Sequence, residues 1–121
     1  MSSILNDIKL FCGVTEEQTV FDVQFLMIIN SLLAILCQIG IGPEEGFSIN
    51  DSLTTWDDFI GDDPRFNTVK TYLCVKTKLI FDPPSNSTIC KLYEDVVKEF
   101  EWRSNISAEA IPVNSEGEEN E

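Results

Sequence analysis

Two adjacent prolines, Pro83-Pro84, stand between two stretches of helical spacing and constrain this chain more than any other feature. Proline has no amide hydrogen to donate, and it pushes the preceding residue out of the α region. A helix that reaches Phe81-Asp82 must stop there. Before the corner, Phe66, Val69, Leu73 and Ile80 fall on one side of a helix, with Lys70 at its edge and Lys78 beyond. Asp63-Pro64 reads as its start, an N-cap followed by proline at the first helical position. After the corner, Ile89, Leu92, Tyr93, Val96 and Phe100 recur at helical spacing, with Ser85 or Ser87 as cap and Trp102 well off the stripe. Two apolar-faced helices joined by so short a corner predict an antiparallel hairpin.

Upstream, Ser2 or Ser3 caps a first helix carrying Ile4, Leu5, Ile8 and Phe11, which Gly13 stops. Thr15-Glu16-Glu17-Gln18 has the spacing of a capping box. It predicts a second helix running through Val20 to Ile39 and ending at Gly40. That stretch is the most apolar of the chain and reads as a central helix wrapped by the others. A membrane span would place Asp22 and Asn30 in hydrocarbon, at roughly 2.5–3.5 kcal/mol for an Asp near the centre, and no basic flank anchors it. Gly42, Pro43 and Gly46 make residues 41–50 a loop, with Phe47 and Ile49 folding back onto the core or forming a short extended segment. Thr54 or Thr55 caps a brief helix holding Trp56, Phe59 and Ile60, closed by Gly61.

The expected fold is therefore all-α, a small bundle of four to five helices over residues 1–103. Residues 104–121 differ in kind: they hold five Glu and no Lys or Arg, with Ile106, Ile111, Pro112 and Val113 as the apolar exceptions. Such a composition buries too little apolar surface to order itself, and reads as an extended acidic tail.

Composition narrows the function. The net charge of −13 argues against nucleic-acid binding through phosphate contacts, which depend on Lys and Arg. There is no histidine, so the commonest general base and metal ligand are missing. No Gly-rich phosphate loop, G-x-S-x-G or Ser/Cys–His arrangement appears, and no catalytic residue or cofactor is predicted. The four cysteines, at 12, 37, 74 and 90, have no CxxC spacing and read as buried thiols in a reducing cytosol. The start Met1-Ser2-Ser3-Ile4 lacks a basic segment, so no secretory signal is expected and the sequons at Asn86 and Asn105 read as chance matches. Asp57-Asp58 and Asp62-Asp63 lack EF-hand spacing and suit helix starts better than a cation site. Lys70, Lys76 and Lys78 are expected to pair with nearby acids. Tyr72 and Trp102 suit an interface or the core equally.

Val69 to Phe81-Asp82-Pro83-Pro84 with the closing Glu101-Trp102-Arg103 resembles small head–tail connector (adaptor) proteins of tailed bacteriophages. Asn30-Ser31-Leu32, Gly40-Ile41-Gly42-Pro43, Gly46-Phe47 and Thr55-Trp56-Asp57-Asp58-Phe59 are similar too. The likeness covers about residues 3–103 and consists of hydrophobic punctuation.

That resemblance implies a virion structural part assembled in the host cytoplasm. Such adaptors form a ring, usually a dodecamer, under the portal protein, extend the DNA channel and seat the next neck or tail-completion protein. DNA passes nearby without specific binding, and no membrane is involved. The resemblance places portal or neighbour contacts from about Trp102 onward, with Ile106, Ile111 and Val113 as apolar contacts and Phe47 as a further candidate. An acidic lining repels phosphate, which suits a channel that must not grip DNA. The rivals are a small acidic inhibitor that imitates DNA, which needs carboxylates spread over one exposed face, and an enzyme, for which no residue is singled out.

Overall fold

The computed structural model describes residues 3–104. It contains five helices: α1 Ile4–Phe11, α2 Asp22–Gln38, α3 Trp56–Ile60, α4 Phe66–Phe81 and α5 Ser87–Ser104. No strand occurs among the described residues, only an isolated bridge between Ser3 and Thr55. The expected all-α fold is thus the observed one.

α1 begins where Ser3 accepts a hydrogen bond from the Asn6 amide at 3.1 Å. Its buried face is Ile4, Leu5 and Ile8, while Phe11 stays partly exposed and meets Tyr93 of α5 at 5.9 Å between ring centroids. α3 carries a complete capping box: Thr55 accepts from the Asp58 amide, and the Asp58 carboxylate accepts from the Thr55 amide at 3.0 Å. Gly61 closes it.

Three starts differ from expectation. The Thr15–Gln18 pair forms, but residues 15–21 make turns, and α2 begins only at Asp22 with no side-chain cap. The cause is Lys9, which is 1% exposed. Its ammonium reaches Asp22 at 2.8 Å and the Glu16 carbonyl at 3.4 Å. A helix starting at Thr15 would commit that carbonyl to its own ladder. At α4, Asp63 accepts from the Arg65 amide at 2.8 Å and the helix begins at Phe66, one turn past the expected cap. At α5 neither Ser85 nor Ser87 is the cap; Asn86 is, accepting from the Thr88 and Ile89 amides at 2.9 and 3.1 Å.

α4 holds the central place that the apolar run of α2 suggests for itself. It packs against α1, α2 and α5, and buries Val69, Tyr72, Leu73, Cys74, Val75 and Thr77 around most of its circumference. α2 lies to one side. Its inner face buries Phe25, Ile29, Leu32, Leu33 and Leu36, and its outer face is open. Asn30, a polar residue in that apolar helix, clamps the 41–55 loop: its carboxamide donates to the Ile49 carbonyl at 2.9 Å and accepts from the Ile49 amide at 2.8 Å. The loop thereby drops Ile49 into the core and lays Phe47 on Phe59 at 5.1 Å.

The hairpin forms as expected, with Tyr72 in the middle of α4 against Phe100 in the last turns of α5, ring centroids 4.3 Å apart. α5 uses less of its stripe than its periodicity suggests. Val97 and Phe100 are buried, but Ile89, Leu92 and Val96 are 42%, 57% and 42% exposed. Ile80 of α4 is also exposed, at 51%. A helix flanked chiefly by one neighbour can cover only part of a wide apolar arc.

Gly42 sits at φ +97°, and a Cβ there would run into the Phe59 ring. Gly42→Ala combines left-handed strain with overpacking, and should destabilise by about 2–4 kcal/mol. Gly46 has φ +103° with open space around it, so Gly46→Ala should cost only the strain. Urea midpoints of the two variants separate the contributions.

Candidate functional site

Chemistry needs activated groups, and all four thiols are shifted away from reactivity. Burial pushes the Cys12 thiol up to about 11 and the Cys74 thiol up to about 12. Partial burial raises Cys37, with Glu45 adding to it, and desolvation followed by Glu94 raises Cys90. A nucleophilic cysteine requires the opposite shift. Cys12 and Cys74 are buried, whereas Cys37 and Cys90 are only half-buried, contrary to the expectation of buried thiols in their helical stretches. Because the folded thiols at 12 and 74 titrate above an unfolded thiol, folding stability is intact below about pH 9 and falls as pH rises toward 11–12. Cys12→Ala/Cys74→Ala should flatten that alkaline decline, read as melting temperature against pH.

The lysines of α4 pair as expected. Lys70 meets Asp7 at 3.2 Å, Lys76 meets Glu101 at 3.1 Å and Lys78 meets Asp82 at 3.3 Å. Glu101 also accepts from the Tyr72 hydroxyl at 2.9 Å. Burial and this carboxylate hold the Tyr72 hydroxyl well above its ordinary range. Tyr72 is thus a core residue that ties α4 to α5. Of the Asp cluster, Asp58 caps α3 and Asp63 binds Arg65, whose hydrogen bonds hold its carboxyl down at about 2. No group of three His, Cys, Asp or Glu among the described residues could hold a metal ion. No described helix is long and apolar enough to cross a membrane.

What remains is surface. Trp102, on the last turns of α5, is 77% exposed and belongs to no core contact. Phe47 is half-buried against Phe59 and lines a shallow hollow with Ala34 and Cys37 of α2. Ile106, Ile111 and Val113 lie outside the described residues. The structure therefore places only two of the five candidate contacts, Trp102 on α5 and Phe47 in the 41–55 loop. It also presents two surfaces that the sequence reading assigns to the core. One is the outer face of α2, with Val23 and Met27 68% and 70% exposed. The other is a groove between α4 and α5 of about 620 Å³, floored by Thr71, Tyr72, Leu92, Val96 and Phe100. A signal for the first exists in the sequence: no charged residue occurs from Val23 to Pro43.

A family model described as phage connector protein matches residues 4–110. Neither the curated proteins nor the solved structures gave a match.

Proposed function

This chain belongs to the phage connector protein family, structural proteins of the virion that join head to tail, and on that premise we propose that it forms a ring beneath the portal. The ring, a dodecamer, extends the DNA channel and seats the next neck or tail-completion protein. Residues 1–103 form its helical body, and residues 104–121 form a segment that orders on binding, at an entropic cost offset by contact. Portal contact runs through Trp102 and the apolar Ile106, Ile111 and Val113. Assembly takes place in the host cytoplasm.

The observation that carries this reading is Trp102, a large aromatic left 77% exposed where α5 leads into the tail. Exposed aromatics of this kind act as anchors in interfaces. The net charge of −13 supports a part that lets DNA pass without holding it. A DNA mimic is less favoured, because Asp7, Asp22, Asp63 and Glu101 are engaged in internal pairs and do not form an exposed row.

Capture by purified portal, measured for the full chain, for a chain lacking residues 104–121 and for Trp102→Ala, tests this. Trp102→Ala should leave the urea midpoint within about 0.5 kcal/mol of the parent, as for any exposed residue, while weakening capture. Undiminished capture by both variants would remove the assigned contacts.

A further inference from the structure

We propose that neighbouring copies in the ring meet by laying the outer face of α2 into the α4/α5 groove of the next copy. This inference rests on the ring reading above. A closed ring with head-to-tail contacts needs two different, complementary surfaces on every copy. The chain offers such a pair, and they share no residue.

The first is a ridge. Gln24, Met27, Ser31, Ala34 and Gln38 are all exposed and follow one another at alternating steps of three and four, the spacing of a helix-packing seam. None is charged. Ser31 donates to the Ile28 carbonyl at 2.8 Å, so its hydroxyl is satisfied without water. Ser31 and Ala34 are small enough to let another helix approach closely.

The second is the groove. Its floor of Thr71, Tyr72, Leu92, Val96 and Phe100 is likewise uncharged. The charges on its α5 bank are neutralised in place, Asp95 by Lys91 at 3.2 Å and Glu99 by Arg103 at 2.7 Å.

Charge selects the occupant. A second copy brings the same net charge of −13, so it can approach only where neither side presents an unpaired acid. The groove and the Gln24–Ser31 length of the ridge meet that condition together, with unpaired Glu44 and Glu45 flanking only the Ala34–Gln38 end, and an uncharged ridge fits an uncharged groove by ordinary ridge-into-groove packing. Long-range repulsion between copies remains, and salt screens it, so assembly should strengthen as salt rises.

The test is the mass of the protein alone and with purified portal, for wild type, Met27→Glu, Val96→Lys and the double variant. Met27 and Val96 are exposed, and an unchanged melting temperature checks that each variant folds. Each single variant should weaken assembly at least about ten-fold, and the double variant should restore it, because every interface then pairs opposite charges. If Met27→Glu disrupts assembly and Val96→Lys does not, the ridge meets another ridge and the proposal falls. Two singles that assemble like wild type place the contact elsewhere, and a double that fails to recover separates the two surfaces; either overturns it while the ring reading stands. A wild type that stays monomeric even with portal present overturns the ring reading, and this inference with it.

Discussion

Trp56→Ala should remove about 3–5 kcal/mol of stability, the loss expected for truncating a buried aromatic. Trp56 is 2% exposed. Its ring stands edge-on to Phe66 at 6.0 Å, and its indole N–H donates to Asp7 at 2.8 Å. Lys70 reaches the same carboxylate at 3.2 Å and lies 5.6 Å from the indole centroid. One side chain from α3 therefore holds α1 and α4 together. The backbone supports the same junction, since the Ile4 amide donates to the Thr54 carbonyl at 3.1 Å. Trp56→Phe keeps most of the ring but deletes the donor. Asp7 still has Lys70, so that variant should lose only about 1–3 kcal/mol. Urea unfolding of both decides the matter. A Trp56→Ala midpoint no lower than that of Trp102→Ala would show that the junction carries little of the stability.

The two tryptophans mark the boundary of what periodicity can say. Spacing placed Trp102 off the α5 stripe, yet its exposure depends on whether another helix lies beyond it, and none of the described helices does. The same reasoning applies to Leu92 and Val96. They belong to a wide apolar arc, and a pattern in one helix does not report how many neighbours cover it. The hairpin and the brief capped helix were readable because each depends on nearby residues and local chemistry, and the pairing of the α4 lysines because acids so outnumber bases in this chain. The position of α2 was not. Its apolar run implies a helix surrounded on all sides, whereas α4, with more polar residues, is the one enclosed. Lys70 and Lys76 extend from that enclosed helix to carboxylates at its edge, so its charges do not prevent burial of the helix. Asn30 and Lys9 were illegible for a related reason. Each is polar in an apolar context and is explained only by a partner that the fold supplies, Ile49 across 19 residues for Asn30 and Asp22 across the turn for Lys9.

The distribution of acids follows from the same pairing. Seven ion pairs link seven of the eight Lys and Arg residues to carboxylates, and among the described residues only Lys98 lacks such a pair. Positive charge is thus almost wholly engaged within the molecule, and the excess is negative. An outer surface of that kind has little to offer a phosphate backbone, and it directs contacts between like copies toward uncharged faces.

Lys9→Ala should cost about 3–5 kcal/mol, because it strands a partner. The Lys9 side chain is 1% exposed, and Asp22 keeps 27% of its side chain accessible, which argues for the lower end of that range. Asp22 Oδ1 is buried and accepts no hydrogen bond apart from the Lys9 contact. The Glu16 carbonyl also loses its donor, so the 12–21 turn loses one of its anchors to α1. Lys9→Met should do similar harm for the same reason, although it fills the space. The double variant Lys9→Met/Asp22→Leu removes both charges together, and should recover most of the loss, since a buried pair can often be replaced by apolar residues without net cost. A thermodynamic cycle over the four proteins reads the coupling directly. Amide exchange across residues 12–21 should quicken in the single variants, because the turn is held by Lys9 and by few other contacts. Additive losses, with the double variant worse than either single one, would mean that the pair is not coupled and that α2 starts at Asp22 for some other reason.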